Sequence, residues 1–225
     1  MSGTRMHFVE ELESLRRLLL QMGSVADSMV LNAVDALTTQ DTELAEQVIR
    51  RDDEVDMLDL KIEALCMRLI ALQQPLARDL RLVGTALKVI TDLERIGDHA
   101  VDIAKIARKL ARDTFYKQLV DLPHMADRVR NMLHNAVHAL VEQDLALVNQ
   151  VIQADDAVDD IFHKLREELH TAMGRDSGLV VQASYLLFVA HHLERIADHA
   201  VNIAERVHYV ETGSLEQLAK SHKTF

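Results

Sequence analysis

Four acidic pairs raise the first chemical question. Asp52 and Asp56, Glu94 and Asp98, Asp155 and Asp159, and Glu194 and Asp198 are each separated by four residues. On a helix, that spacing puts both carboxylates on one face, where like charges cost a few tenths of a kcal/mol. One reading is that Arg95 and Arg195, three residues before Asp98 and Asp198, offset the repulsion in surface ion pairs of little net value. The other is that two packed helices present an oxygen-rich metal site. Hard cations such as Mg²⁺, Mn²⁺ or iron bind carboxylates and would remove the repulsion. Spacing alone leaves both readings open.

The histidines offer less. His134 and His138 stand four apart, a spacing that can bind Zn²⁺, but the matching positions of the internal repeat hold Leu31 and Asp35, so they read as surface or packing residues. His99 and His199 directly follow Asp98 and Asp198 and point about 100° around the helix from them; they read as outer-shell partners of the acids or as packing between helices, with packing the favoured reading. A ferritin-like di-iron site needs Glu-x-x-His, whereas here the histidine follows the glutamate by five. There is no glycine-rich phosphate loop, Cys-x-x-Cys, His-Glu-x-x-His or Gly-x-Ser-x-Gly, so the usual catalytic constellations are missing. Cys66 sits in an apolar stretch and reads as a small core residue. Met22, Met29, Met67, Met132 and Met173 read as core filler.

The elements that carry the acids are long helices, present twice. Met29–Asp56 aligns without gaps on Met132–Asp159 at an offset of 103, with 16 of 28 positions identical. Leu93-Glu94-Arg95-Ile96-Gly97-Asp98-His99-Ala100-Val101 recurs as Leu193-Glu194-Arg195-Ile196-Ala197-Asp198-His199-Ala200-Val201 at an offset of 100. Three residues are therefore missing from the second copy, and the turn near Gly174–Gly178 is the natural place for the loss. Asp102 extends the first stripe by one turn where the second copy has Asn202; these two are weaker candidates.

Apolar residues at Leu80, Val83, Leu87, Ile90, Ile96, Ala100, Ile103, Ala107 and Leu110 follow helical spacing. Pro75 suits the first turn of that helix. Asp41, and its counterpart Asp144, suit N-caps. A helix from about Arg5 to Thr39 and another to about Leu72 precede it. Gly97 in a helix interior costs up to about 1 kcal/mol relative to Ala197 in the other copy, and close helix approach is the expected reason.

Composition supports this organisation. The chain of 225 residues has 7 Gly and 2 Pro, too few for the turns and corners of a sandwich, barrel or doubly wound sheet. Lys and Arg number 25 against 36 Asp and Glu, a net charge of −11, which argues against nucleic acid or an anionic membrane as partner. One cysteine allows no intrachain disulfide. No segment reaches the ~20 apolar residues of a membrane helix, and the N-terminus does not read as a signal peptide; a cytoplasmic protein is expected. The reading is an all-α fold of two tandem three-helix bundles, six long antiparallel helices related by an internal pseudo-twofold. The expected divisions are residues 1–113, a linker at 114–123, a second bundle at 124–213, and a weakly docked tail at 214–225.

Two copies of Leu-Glu-Arg-Ile-Gly/Ala-Asp, each preceded by Val-Ile-x-x-Asp-x-x-x-Asp, together with Gln74-Pro75-Leu76-Ala77-Arg78-Asp79-Leu80-Arg81, resemble the PhoU family of phosphate-transport regulators. The resemblance runs from about Phe8 to Glu211. It implies a non-enzymatic negative regulator of the phosphate-starvation response, an adaptor between the ATPase of the phosphate ABC transporter and a membrane sensor histidine kinase, and a homodimer. Some members of the family bind multinuclear metal clusters through such acidic pairs. Carried over, Asp52, Asp56, Glu94 and Asp98 serve one cluster and Asp155, Asp159, Glu194 and Asp198 the other, with Fe, Zn, Mn or Mg as the ion. The second copy lacks the Gln-Pro-Leu-Ala-Arg-Asp-Leu-Arg segment and the acid at Asn202, which implies a weaker second site. A carboxylate-bridged metalloenzyme or metal-storage bundle is the alternative, and a purely structural scaffold is the third reading.

Overall fold

The computed structural model describes residues 2–73, 75, 77–214 and 216–219. Six helices follow one another: α1 (Ser2–Thr39), α2 (Thr42–Gln73), α3 (Ala77–Leu110), α4 (Asp121–Glu142), α5 (Leu145–Arg175) and α6 (Val180–Thr212), with one 3₁₀ turn at Ser177–Leu179. No strand occurs among the described residues.

Helix ends repeat between the halves as the sequence does. Asp41 Oδ1 accepts from the backbone N–H of Glu43 and Leu44, both at 2.9 Å, and Asp144 Oδ1 accepts from Ala146 N–H at 2.7 Å. Each cap side chain satisfies N–H groups that have no partner within the helix. The residue before each, Gln40 and Gln143, is left-handed, with φ of 56° and 58°. This reverses the chain in one step and lets the Asp41 and Asp144 amides bond back to Ala36 and Ala139. Two boundaries differ from the sequence reading. Pro75 precedes the first residue of α3 rather than occupying its first turn. Asp121–Pro123, read as linker, form the first turn of α4, where a proline lacking its N–H breaks no helical bond.

In each half the three helices pack pairwise, and the halves meet through α1 against α4 and α3 against α6. Thus α2 and α5 flank a middle layer of the other four. One core runs through both halves, from Leu15, Leu19 and Met22 through Leu93, Ile96 and Ile103 to Met132, Leu133, Ile196 and Ile203. Ala100, Ala104 and Ala107 on α3, with Ala197, Ala200 and Ala204 on α6, are buried, and short side chains let helix axes approach closely. Leu80 and Met67, expected inside, are 45% and 56% exposed; each lies on the flank of its apolar stripe turned to solvent. Cys66 is buried, as expected.

Gly97 is not where backbone approach is tightest. A methyl there would meet Val55 at 3.5 Å and Asp52 Oδ1 at 3.6 Å, ordinary contact distances. At Gly23, on α1, a methyl would come within 2.9 Å of both Val137 γ-carbons on α4, so Gly23 is the glycine that lets the two halves close.

The connection between halves is held from both sides. Gln40 Nε2 donates to the carbonyls of Leu110 and Asp113 at 3.0 and 2.7 Å. The buried Gln182 accepts from Tyr116 N–H and donates to Thr114 O, each at 3.1 Å. The tail is docked where it is described: Leu218 and Ala219 pack against the core, and their N–H groups donate to Glu205 Oε1 at 2.7 and 3.2 Å. Residues 220–225 lie outside the described residues.

Candidate functional site

The repeated acids sit on matching faces of the two bundles. In the first, α2 carries Asp52 and Asp56 and α3 carries Glu94 and Asp98. Burial first, then the charges of Asp56 and Asp98, push the Asp52 carboxyl above its ordinary range, with Lys105 pulling the other way. Glu94 is raised by burial and by Asp98 and Asp56, against a lowering by Arg95. Asp59, not singled out in the sequence, is raised by burial and by Glu63 and Asp56. These carboxylates therefore share one field across the α2–α3 seam, and desolvation with like-charge repulsion disfavours their ionised forms. Asp56, Asp59 and Glu94 line an open cleft of about 400 Å³ with Leu60 and Thr91.

In the second bundle, Asp155 is buried, at 4% exposure. With Asp198 and Asn202 it lines an open 250 Å³ cleft to which the tail contributes Gln217 and Ala219. The Glu194 carboxylate lies 3.2 Å from His191 Nδ1, and Asp159 is half-buried. The expected arginine compensation is present in both halves: Arg95 Nη1 donates to Asp98 at 2.8 Å and Arg195 Nη1 to Asp198 at 2.7 Å.

The acid pairs have the donors for a hard cation, oxygen only, and burial, with repulsion from Asp56 and Asp98 added to it, raises Asp52 and Glu94. They do not close on one point. Among the described residues, the one set of three or more His, Cys, Asp or Glu side chains whose ligand atoms lie within 4.8 Å of one another is His99, Asp102 and His192. That set lies between α3 and α6, where the halves meet.

Helix packing brings His99 and His199 together, with ring centroids 5.7 Å apart. His99 Nδ1 lies 3.1 Å from His192 Nδ1, and His199 Nδ1 lies 2.9 Å from Asp92 Oδ1. Burial first, then the neighbouring His192, His199 and Arg195, push the His99 imidazole down to about 4, against a smaller pull from Asp102. Burial also lowers His192. Asp92 and His192 occupy one position of the repeat, offset by 100. Their differing identities concealed them from a search for shared polar residues. His134 and His138 stack at 4.3 Å between centroids and line a 330 Å³ cleft between α1 and α4.

Cys66 is no nucleophile, since burial, aided by Glu63, pushes its thiol up to about 12.

The comparisons with known proteins agree with this architecture. The family model described as the PhoU domain matches twice, at residues 19–107 and 122–207. The chain belongs to the PhoU family. A relative from Clostridium acetobutylicum, named a phosphate-specific transport system accessory protein PhoU homolog, is 39% identical over 211 residues, covering 93% of this chain and 96% of that protein. A relative of the same description from Aquifex aeolicus is 40% identical over 190 residues, covering 84% and 86%. The crystal structure of PhoU from Pseudomonas aeruginosa superposes with a TM-score of 0.88 at 36% identity, covering 92% of this chain and all (100%) of that one. The two PhoU-domain matches coincide with the two bundles, so the duplication seen in the sequence is the duplication of the family's own unit. The family is one of regulatory and accessory proteins, not a known enzyme family. No helix among the described residues is long and apolar enough to cross a membrane.

Proposed function

We propose that this chain is an accessory regulator of phosphate-specific transport, acting as an adaptor that holds the phosphate-starvation response off when phosphate is plentiful. The observation that carries this reading is likeness over nearly the whole length to proteins named for that system. In the proposed mechanism the adaptor binds one conformation of the transporter's ATPase subunit better than another. It then biases a membrane sensor histidine kinase toward its silent state, because a partner shifts an equilibrium only by its difference in affinity for the two states. The net charge of −11 suits basic patches on such partners. The test is a gene deletion with a phosphate-responsive reporter, together with a pull-down from phosphate-replete cells. Derepression at high phosphate and co-purification of transporter and kinase are expected; unchanged expression refutes the reading. A homodimer is part of the proposal and is tested by sedimentation of the purified chain.

The acidic faces are proposed to hold hard cations, with Asp52, Asp56, Glu94 and Asp98 in the first bundle and Asp155, Asp159, Glu194 and Asp198 in the second. A bound cation supplies charge neutralisation on those faces, and the carboxylates position it. Support comes from the oxygen-only donors and from the upward push on Asp52 and Glu94. Elemental analysis of the protein beside Asp98→Ala and Asp198→Ala is the check; equal, negligible metal in all three refutes it.

A further inference from the structure

We propose that His99, Asp102 and His192 form a binding site for one Zn²⁺-class transition-metal ion at the junction of the two repeats, sharing with the first acidic stripe only Asp102 and none of its four repeated acids. The ligand atoms of the three lie within 4.8 Å of one another. Two nitrogens each ~2.0 Å from a tetrahedral Zn²⁺ stand about 3.3 Å apart, and the two Nδ1 atoms are 3.1 Å apart. Two imidazoles and a carboxylate select borderline metals, whereas the acidic pairs offer only hard oxygen donors. All three residues are half-buried, so solvent can fill a fourth position.

The pseudo-symmetric positions provide an internal comparison. They hold His199, Asn202 and Asp92. There His199 Nδ1 meets Asp92 Oδ1 at 2.9 Å and Asn202 Nδ2 donates to the same oxygen at 3.4 Å. That set satisfies itself, with donors converging on a carboxylate. In the first set the carboxylate position is an imidazole and the amide position a carboxylate. The exchange replaces a donor–acceptor–donor arrangement by two facing ring nitrogens, which can share only one proton between them. A cation accepts electron pairs from both. Asp102 Oδ1 also accepts from Lys105 Nζ at 3.0 Å, an outer contact that orients it; Lys105 is exposed and can turn away. Since His99 and Asp102 lie on α3 and His192 on α6, the ion would join the two bundles directly.

The test is a titration of full-length, chelator-stripped protein with Zn²⁺ alone, with X-ray absorption at the zinc edge to count nitrogen neighbours. One saturable equivalent with two imidazole ligands is expected. The double variant Asp102→Asn with His192→Asp installs the residue set that the protein already packs at the equivalent place, and it should fold, as checked by circular dichroism. It should lose this nitrogen-ligated ion, weakening binding by more than the roughly 10–100-fold that loss of an outer-shell partner alone typically costs. If it fails to fold, Asp102→Asn alone should weaken binding by about 10-fold. Asp52→Asn with Asp56→Asn should leave the nitrogen-ligated zinc in place. Zinc held by oxygens only, no saturable binding, or wild-type affinity in the folded variant overturns the proposal.

Discussion

Asp27 on α1 and Arg130 on α4 are the same position of the repeat, at the offset of 103, yet they face each other across the junction. Arg130 Nε and Nη2 donate to the two oxygens of Asp27 at 3.0 and 2.9 Å. With 25% and 26% of the two side chains exposed, the pair is drier than a surface bridge worth about 0.2–1 kcal/mol. It is wetter than a buried pair whose rupture costs about 3–5 kcal/mol. Its fork geometry places the coupling near 2 kcal/mol. A double-mutant cycle with Asp27→Ala and Arg130→Ala, followed by urea unfolding, should return that coupling. At this chain length, ~2 kcal/mol corresponds to a fall of about 4–8 °C in Tm for Arg130→Ala. Arg130→Asp should be worse than Arg130→Ala, because it sets a new carboxylate opposite Asp27 and near Asp127, whose oxygen lies 3.9 Å from Arg130 Nη1. Exchanging the charges with Asp27→Arg and Arg130→Asp should recover most of the loss. A coupling below about 0.5 kcal/mol, or an exchange no better than Arg130→Asp, would refute the claim that the pair joins the halves.

Gly23→Ala should destabilise by about 1–3 kcal/mol, because its methyl would press on the branched side chain of Val137 at 2.9 Å; thermal unfolding reads this out. Gly97→Ala should instead be neutral or stabilise by up to about 1 kcal/mol, since the nearest atoms stand 3.5 Å away and Ala197 fills the matching place. Leu93→Ala, at a fully buried core position, should cost about 2–5 kcal/mol with a single unfolding transition, since one core runs through both bundles; two separated transitions would contradict that. In chelator, the His99 contribution to stability should be lost as pH falls from about 6.5 toward 4, while the raised acids Asp52, Asp59 and Glu94 act in the opposite direction. The His99 imidazole, faced by His192, His199, Arg195 and Asp102, is held neutral in the folded state down to about 4. The unfolded chain therefore takes up the proton first, and the loss should be smaller in His99→Asn.

Much of the fold was legible because helices announce themselves in apolar period and duplication announces itself in identity. Asp41 and Asp144 could be named as caps because capping is local chemistry. Gly97 was misread because a glycine in a helix says that something is special without saying where the neighbour is. Gly23 carries the tight contact, and its neighbour Val137 lies across the junction, on another helix of the other half. The same limit applied to the site. Shared residues such as Asp98 and Asp198 could be found by comparing copies, whereas Asp92 and His192 became visible only when packing placed them opposite His199 and His99.

The residues that escaped the comparison share a physical cause. Near a twofold axis a residue meets its own equivalent, so an exact homodimer would oppose Asp27 with another Asp27, at a cost in repulsion. Fusing the copies into one chain removes that constraint, and position 27 can become arginine as Arg130 in the other copy. Positions 92 and 102 have diverged in the same region, to His192 and Asn202. Away from the axis each acidic pair meets partners from its own half, and both copies keep the same residues. Identity between the repeats marks what each bundle does alone, and it also keeps residues such as His99 and His199 that meet each other at the junction. Divergence at Asp27/Arg130, Asp92/His192 and Asp102/Asn202 marks what the two do together, and differences between copies are where the chemistry of the junction is to be sought.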